Sequence, residues 1–365
     1  MRSKALDRVA EQVVRTGAAP GAAVAQARRS GDAWLISSGI AGTAERAPGQ
    51  PIFDLASVTK SFVAVTAARL AASSGPALDA ALGSLLPELD DTPSAEASLL
   101  LLLSHRAGLD AHRSLFAPLV AGRPFSRGRA LREAAMARRP DARGAPPAEG
   151  FAPLYSDLGY VLAGAALERA TGLPLDELIE RELVTPLALE VHSARRWLAE
   201  DPNFLARVLP TETMAFRGGS IRGAVHDENA WALAGHGLAG QAGLFGAAEA
   251  VARFGTALLD ALAGRAHGVL TQAALAPLVA ERPGGSLRAG FDGKSGPASA
   301  AGTLASAATF GHLGFTGTSL WCDPRAERVS VLLSNRVSPS RENLRIRAIR
   351  PVVHDALFGW EGGLV

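Results

Sequence analysis

From Val58 to Ala72 the chain reads VTKSFVAVTAARLAA, a run almost wholly apolar or small. A helix that is apolar on every side must be buried on every side, so this segment belongs inside a layered core. Ser57 stands where the helical pattern begins, and Ser73–Ser74–Gly75 closes it. Lys60 lies one turn in. Desolvation there pushes an amine toward its neutral form. The chain has only three lysines, Lys4, Lys60 and Lys294, among 37 Lys and Arg residues. Arginine cannot give up its proton and a buried lysine can. A lysine kept at this point implies a use for a group that can lose its charge.

The rest of the chain is arranged around that run. Residues 4–16 pattern as an amphipathic helix that ends at Gly17, Pro20 and Gly21. AAVAQARR and AWLISSG then read as a hairpin broken at Ser30–Gly31–Asp32. From Pro76 to about Ala230 the pattern is helical with long loops. It includes LLLLLSHRAGL at 99–109, an arginine-rich stretch at 123–143, a Pro/Gly linker at 140–153 and a helix at 156–171 before Gly172. After about Ala232 a Gly-rich stretch leads into the amphipathic AAEAVARFGTALLDALAG. FGHLGFTGTSLWCDP and ERVSVLLSNRV read as two strands turning at Asp323–Pro324, and residues 340–357 as a final helix. Strands at both ends with helices between predict an α/β (α+β) fold. Residues 1–75 and 232–365 would form a sheet domain, and residues 76–231 an inserted, mostly helical one.

Composition excludes several classes. A net charge of +2 gives no basic face that would call for nucleic acid or an anionic membrane. No stretch approaches twenty uninterrupted apolar residues, so no membrane span is expected. The N-terminus lacks a signal-like apolar core, so the expected location is cytoplasmic, or periplasmic or secreted where a leader has been removed. The lone Cys322 permits no intramolecular disulfide and reads as a packed thiol. His226, Asp227 and His236 fit no compact metal-ligand spacing, so no metal or other cofactor is expected; His226 and Asp227 read as a hydrogen-bonded pair.

Three stretches carry residues suited to chemistry. In Ser57–Val58–Thr59–Lys60 the spacing puts hydroxyl and amine on one helix face. An amide in the first turn has no helical partner and is available to an oxyanion. The same residues also fit a helix cap and a snorkelling lysine. Tyr155–Ser156–Asp157 opens the 156–171 helix; its phenol suits proton relay, while Ser156 or Asp157 equally suits an N-cap. Gly311–His312–Leu313–Gly314–Phe315–Thr316–Gly317 lies on an expected strand. Glycines there mark either close approach to a ligand or a bulge.

Together, in this order, the three resemble the β-lactamase/penicillin-binding-protein superfamily of SxxK serine hydrolases, in its class C-like branch. Ser57–Lys60 matches S-x-x-K, Tyr155–Asp157 stands at Y-x-N, and His312–Gly314 stands at K-T-G, which in that branch is often H-x-G. FDLASVTKSF, LLSHRAGL, YSDLGYVLAG, HDENAW, GQAGLFGAAEAVARFG and GFTGTSLWCDP extend the resemblance from about Pro20 to Arg336.

The resemblance implies an antiparallel sheet flanked by helices, no cofactor, and a small-molecule or short-peptide substrate. It implies that Ser57 attacks a carbonyl, that Lys60 and Tyr155 share its proton, and that the N–H groups of Ser57 and Phe315 form the oxyanion hole. Asp157, His312 and Gly314 would line the substrate pocket. Asp157 replaces an Asn, Leu313 a Thr or Ser, and Gln241 a frequent His. These departures imply an esterase-like or amide hydrolase over an efficient β-lactamase, with a negative charge in the pocket that disfavours substrate carboxylates. The alternative is a catalytically weak or inactive member that binds a peptide or small ligand in the same cleft.

Overall fold

The computed structural model describes residues 1–265 and 268–362. Six strands form one antiparallel sheet: β1 (Gly21–Ser30), β2 (Ala33–Gly42), β3 (Asp292–Gly293), β4 (Phe310–Leu313), β5 (Ser319–Asp323) and β6 (Arg328–Ser334). Their spatial order is β2-β1-β6-β5-β4-β3. The two ends of the chain therefore pair directly, with Ala25 opposite Val331 in the β1–β6 ladder. Mixed α/β composition with an antiparallel sheet made from both termini agrees with the sequence expectation.

Strand periodicity sorts the core into two layers. On β1, Ala22 and Val24 face helices α1 (Lys4–Arg15) and α6 (Ile346–Phe358), where Leu6, Val13, Val353 and Leu357 are buried. Ala23, Ala25 and Ala27 face the other way, toward α5 (Ala248–Leu262) and, behind it, α2 (Thr59–Ala71). Alanine on that face lets α5 sit close to the sheet. Phe62 of α2 stacks on Phe254 of α5 with ring centroids 3.9 Å apart. Both rings are fully buried, and each contributes about 1.5–3 kcal/mol by leaving water.

Helix α2 is buried at every residue except Arg69 and Ala71. That is the outcome the apolar run dictates: one helix packed on all sides between α5 and the helical half of the molecule. There it meets α3 (Asp157–Thr171), which is buried from Leu158 to Leu167 and ends at Gly172 in the left-handed region, φ +70°. Among the described residues no helix is long and apolar enough to cross a membrane.

Three elements differ from the sequence reading. FGHLGFTGTSLWCDP is not one strand but two, β4 and β5. Gly314 donates its N–H to the Thr318 carbonyl, closing a tight turn between them. A Cβ on Gly314 would stand 1.9 Å from Thr318 Oγ1 and 2.6 Å from the Leu55 carbonyl, so glycine there reflects close approach of two backbones. The last helix starts at Ile346, not Ser340, and the residues before it run along the cleft. A three-stranded sheet of Phe53–Asp54, Leu244–Gly246 and Val191–Ser193 escaped sequence reading because its strands are two or three residues long.

Candidate active site

Ser57 lies in a short 3₁₀ turn, Ala56–Val58, that feeds α2. The turn is strained. Ala56 has φ +47°, a region an alanine enters at a cost of about 1–3 kcal/mol. Buried Asp54 holds it there. Its Oδ1 accepts the Ala56 N–H at 2.8 Å and its Oδ2 the His226 N–H at 2.6 Å. Desolvation raises the pKa of this carboxyl, opposed by those two amides. From the sheet side, Thr316 donates its hydroxyl to the Asp54 carbonyl (2.8 Å) and Thr318 to the Leu55 carbonyl (2.9 Å). The nucleophile turn is thereby tied to the β4–β5 turn.

Lys60 is fully buried. Its ammonium lies within hydrogen-bond distance of Ser57 Oγ at 3.0 Å, Asp157 Oδ1 at 2.7 Å and the Gln241 carbonyl at 3.1 Å, with the Tyr155 phenol as a fourth partner. Burial is the largest influence on this amine and lowers its pKa. Asp157 and Tyr155 together outweigh burial, and the net shift is upward. The expectation that the apolar helix would leave a neutral amine is therefore overturned. Desolvation acts as expected, but the charge opposite it came from a residue 97 positions away. Asp157 responds in kind: burial raises its pKa, Lys60 and His112 lower it more, and it is held well below the usual carboxylate range. Its second oxygen lies 3.7 Å from Nδ1 of the half-exposed His112.

The Tyr155 phenol faces the Ser57 hydroxyl and the Lys60 amine. Burial raises its pKa, and the Lys60 charge and hydrogen bonds to Ser57 and Lys60 work against that rise. Its ring stacks on His105, centroids 4.5 Å apart. His105 has φ +60°, and its Nδ1 accepts the Ser156 N–H at 3.0 Å. Burial, with Lys60 and His312 nearby, lowers the His105 pKa to about 3, so it stays neutral. Ser156 is the N-cap of α3, accepting from the Gly159 N–H. Asp157 is thus freed from capping and points at Lys60.

His312 is buried, and burial followed by Lys60 lowers its pKa to about 3. Its Nδ1–H donates to the Leu313 carbonyl at 2.8 Å, which leaves Nε2 as an acceptor. The Phe315 side chain is 48% exposed and packs between the His226 ring and the Arg336 guanidinium. Among the described residues no hydrogen bond engages the N–H of Ser57 or of Phe315.

These residues open onto a cleft of about 560 Å³ lined by Ser57, Tyr155, Asp157, Gly314 and Phe315 among others. His226 and Asp227 also line it, but they are not bonded to each other as expected. His226 pairs with Glu212 (3.0 Å), and Asp227 caps α4 (Glu228–Ala234) and accepts from Gln241 Nε2. Adjacent side chains on the chain diverge, and each found its own partner. Burial, then the charge of Asp157, raises the Asp227 pKa.

Sequence reading missed the opposite wall, formed by Arg336, Arg341, Arg347 and Arg350. Arg341 is paired with Glu212 and Glu228. Among the described residues Arg336, Arg347 and Arg350 have no carboxylate partner. Arg350 is buried and donates to the Gly314 and Thr318 carbonyls, while its Nε has no partner. Burial, then the neighbouring guanidiniums of Arg336 and Arg347, lowers its pKa to about 10. The density of arginine between 336 and 350 was the available signal.

A family model described as Beta-lactamase matches residues 6–354. A Salmonella agona protein named "Putative D-alanyl-D-alanine carboxypeptidase" is 26% identical over 335 residues, covering 85% of this chain and 76% of the relative. Among solved structures, "EstCE1, a hydrolase with promiscuous acyltransferase activity" superposes with a TM-score of 0.70 at 21% identity and covers 98% of both chains. A penicillin-binding protein homologue from Caulobacter crescentus superposes with a TM-score of 0.66 at 21% identity, covering 97% of this chain and 96% of that one. The match extends beyond the Pro20–Arg336 span legible in the motifs and takes in the arginine-bearing segment.

Proposed function

Because the chain belongs to the Beta-lactamase family, we propose that it is a serine hydrolase that cleaves an ester or amide through a covalent acyl-Ser57 intermediate. The single observation that carries this reading is the 3.0 Å contact between Lys60 Nζ and Ser57 Oγ at the floor of an open cleft. A serine hydroxyl alone is a weak nucleophile and needs a partner that takes its proton. Lys60 and Tyr155 are the groups beside it. Ser57 attacks the carbonyl, its proton passes to that pair, and the pair returns a proton to the departing alcohol or amine. Water then repeats the sequence on the acyl-enzyme with Tyr155 assisting.

The N–H groups of Ser57 and Phe315 would receive the oxyanion. Among the described residues both are without an acceptor, one in the 3₁₀ turn before α2 and the other in the β4–β5 turn tied to it by Thr316 and Thr318. Donors fixed before reaction need no reorganisation when charge develops, and each is worth roughly 10²–10³ in rate. Leu313 and Gly314 would form the strand side of the pocket, with His312, expected there from the motif, buried behind them. The cleft then lies between the sheet unit, residues 1–75 and 232–365, and the helical insertion, residues 76–231.

A specific observation favours one substrate class within this reading. Asp157 spends its charge on Lys60 and does not present a free anion to substrate. Across the cleft stand the three arginines without carboxylate partners. A guanidinium recognises a carboxylate through paired N–H donors. This arrangement supports an acyl donor bearing a carboxylate, against the ester-like preference inferred from the motif departures.

Intact-mass analysis after treatment with a fluorophosphonate probe tests the reading. Wild type should gain one adduct, and Ser57→Ala none. A panel of p-nitrophenyl esters of several chain lengths, nitrocefin and D-Ala-D-Ala peptides then ranks the substrates. Absence of any Ser57-dependent adduct would favour a ligand-binding member without turnover.

A further inference from the structure

Lys60 raises a problem of proton accounting. Paired with Asp157 at 2.7 Å, Lys60 is an ammonium, and an ammonium has three N–H bonds and no lone pair to offer Ser57. For Lys60 to serve as base, one proton must leave it first. Of its contacts with Ser57, Asp157 and Gln241, the shortest runs to Asp157 Oδ1. The Gln241 carbonyl cannot hold a proton, and Ser57 is the group to be deprotonated. The Tyr155 phenol already carries its own proton.

We propose that the Asp157 carboxylate is the proton store for Lys60, taking a proton from the ammonium as Ser57 attacks and returning it when the leaving group departs. This rests on the serine-hydrolase reading above and adds a residue that acts through Lys60. At rest the groups are a hydroxyl, an ammonium and a carboxylate. A proton moves from Lys60 Nζ to Asp157 Oδ1, leaving an amine and a carboxylic acid. The amine takes the Ser57 proton as the Oγ–carbon bond forms and the carbonyl π pair moves onto oxygen. When that pair returns, the bond to the leaving group breaks and the leaving group takes a proton from Lys60. Asp157 gives its proton back to the amine, and the starting charges are restored.

The surroundings favour the charged pair at rest, so the transfer to Asp157 is transient, goes forward only as Ser57 attacks, and reverses when the leaving group departs. Lys60 is faced by Asp157, by the rings of Tyr155 and Tyr160, and more distantly by neutral His105 and His312. Asp157 is faced by Lys60, by His112 of the loop at 111–114, and by Asp227 at the start of α4. His112 stabilises the carboxylate and Asp227 the acid. Only His112 among them is widely open to solvent, with 48% of its side chain exposed.

The low lysine count makes the test direct. Wild type and Asp157→Asn, labelled with ¹³Cε-lysine, should give three lysine signals, and Lys60→Met assigns the buried one. Acylation by p-nitrophenyl acetate is timed in parallel from pH 5.5 to 8.5. In wild type Lys60 should remain an ammonium while the acylation rate stays flat within about threefold, because the working unit is the charge-neutral pair. In Asp157→Asn the rate should follow the amine fraction of Lys60, falling tenfold per pH unit wherever the amine is being protonated. A wild-type rate that climbs tenfold per pH unit would overturn the proposal. So would an Asp157→Asn enzyme that keeps an ammonium at Lys60 and still acylates at a pH-independent rate. Should Asp157→Asn not fold, the wild-type arm decides alone. Failure of the hydrolase reading itself would look different: no Ser57-dependent acylation in wild type at any pH.

Discussion

Helices α2 and α3 are alike through most of their length and opposite at their starts. Both are buried on nearly every face, and both bring site residues to the cleft from their first turns. The start of α3 is finished by its own sequence. Ser156 accepts from the Gly159 N–H and donates to the Asp110 carbonyl at 2.6 Å. The start of α2 has no side-chain cap and follows a residue at φ +47°. Its strain is held from outside, by Asp54 and by two threonines of the β4–β5 turn. An uncapped terminus leaves N–H groups for a substrate, and a capped one holds its neighbours still. Substitutions at the strained turn leading into α2 should therefore be read mainly in turnover, and substitutions at the Ser156 cap of α3 mainly in stability.

The largest effect belongs to Lys60→Arg. Guanidinium keeps the charge and the pairing with Asp157 but cannot pass a proton. We expect kcat/KM for p-nitrophenyl esters to fall roughly 10³-fold or more, in line with the loss of a member of a catalytic unit. Near-native turnover would remove Lys60 from the reaction and break the contrast at once. Next comes Asp54→Asn, which touches no substrate. Both carboxylate oxygens accept an amide N–H, so an amide side chain must set an NH₂ against one of them. One unmet buried donor costs about 1–3 kcal/mol. Turnover should drop about 10- to 100-fold as the Ala56 turn relaxes and the Ser57 N–H swings away. Urea denaturation together with kcat/KM separates the two. A stability loss with turnover intact would mean that the strain at Ala56 serves packing alone.

How much of this was legible beforehand depends on the range of the interactions. The burial of α2 followed from composition over fifteen consecutive positions, and the Gly172 stop from one residue in its local context. The division of β4 from β5 did not. Gly314–Phe315–Thr316–Gly317 reads as strand in sequence, and the bonds that make it a turn are not displayed there: the Gly314 N–H to the Thr318 carbonyl, and the Thr316 and Thr318 hydroxyls to the Asp54 and Leu55 carbonyls. The sign of the Lys60 shift was illegible for the same reason. Burial is a property of the run around it, while the countercharge sits on another helix. Asp157 stands out in sequence as an unusual residue at its motif position, and the motif alone puts its charge in the pocket rather than on Lys60. The arginine wall belongs to no recognised motif, although five arginines within fifteen positions are plain in the sequence.

At the Ser156 cap of α3 the effects should be smaller and confined to stability. Ser156→Ala removes the cap and the bond to Asp110, and should cost about 1 kcal/mol in urea denaturation. Turnover should stay within about threefold, since His105 still holds the Ser156 N–H in place. A loss of turnover as large as that of Asp54→Asn would show that the two helix starts are not distinct in kind.

The smallest effect sharpens the comparison most, because it isolates conformation from contact. Gly172 closes α3 at φ +70°, and a Cβ built there would meet nothing within 4 Å. Alanine at this site therefore loses no space and gains no partner. Its only penalty is the left-handed backbone, about 1 kcal/mol. Asparagine tolerates that region better, so Gly172→Asn should fall between glycine and alanine. The order glycine, asparagine, alanine in urea midpoint, at constant kcat/KM, is the expected result. The equivalent strain at Ala56 sits beside the nucleophile, and Ala56→Gly should relieve it and stabilise the fold. Were Ala56→Gly to raise stability while turnover fell, and Gly172→Ala to lower stability while turnover held, the same backbone region would be serving catalysis at one helix and folding at the other.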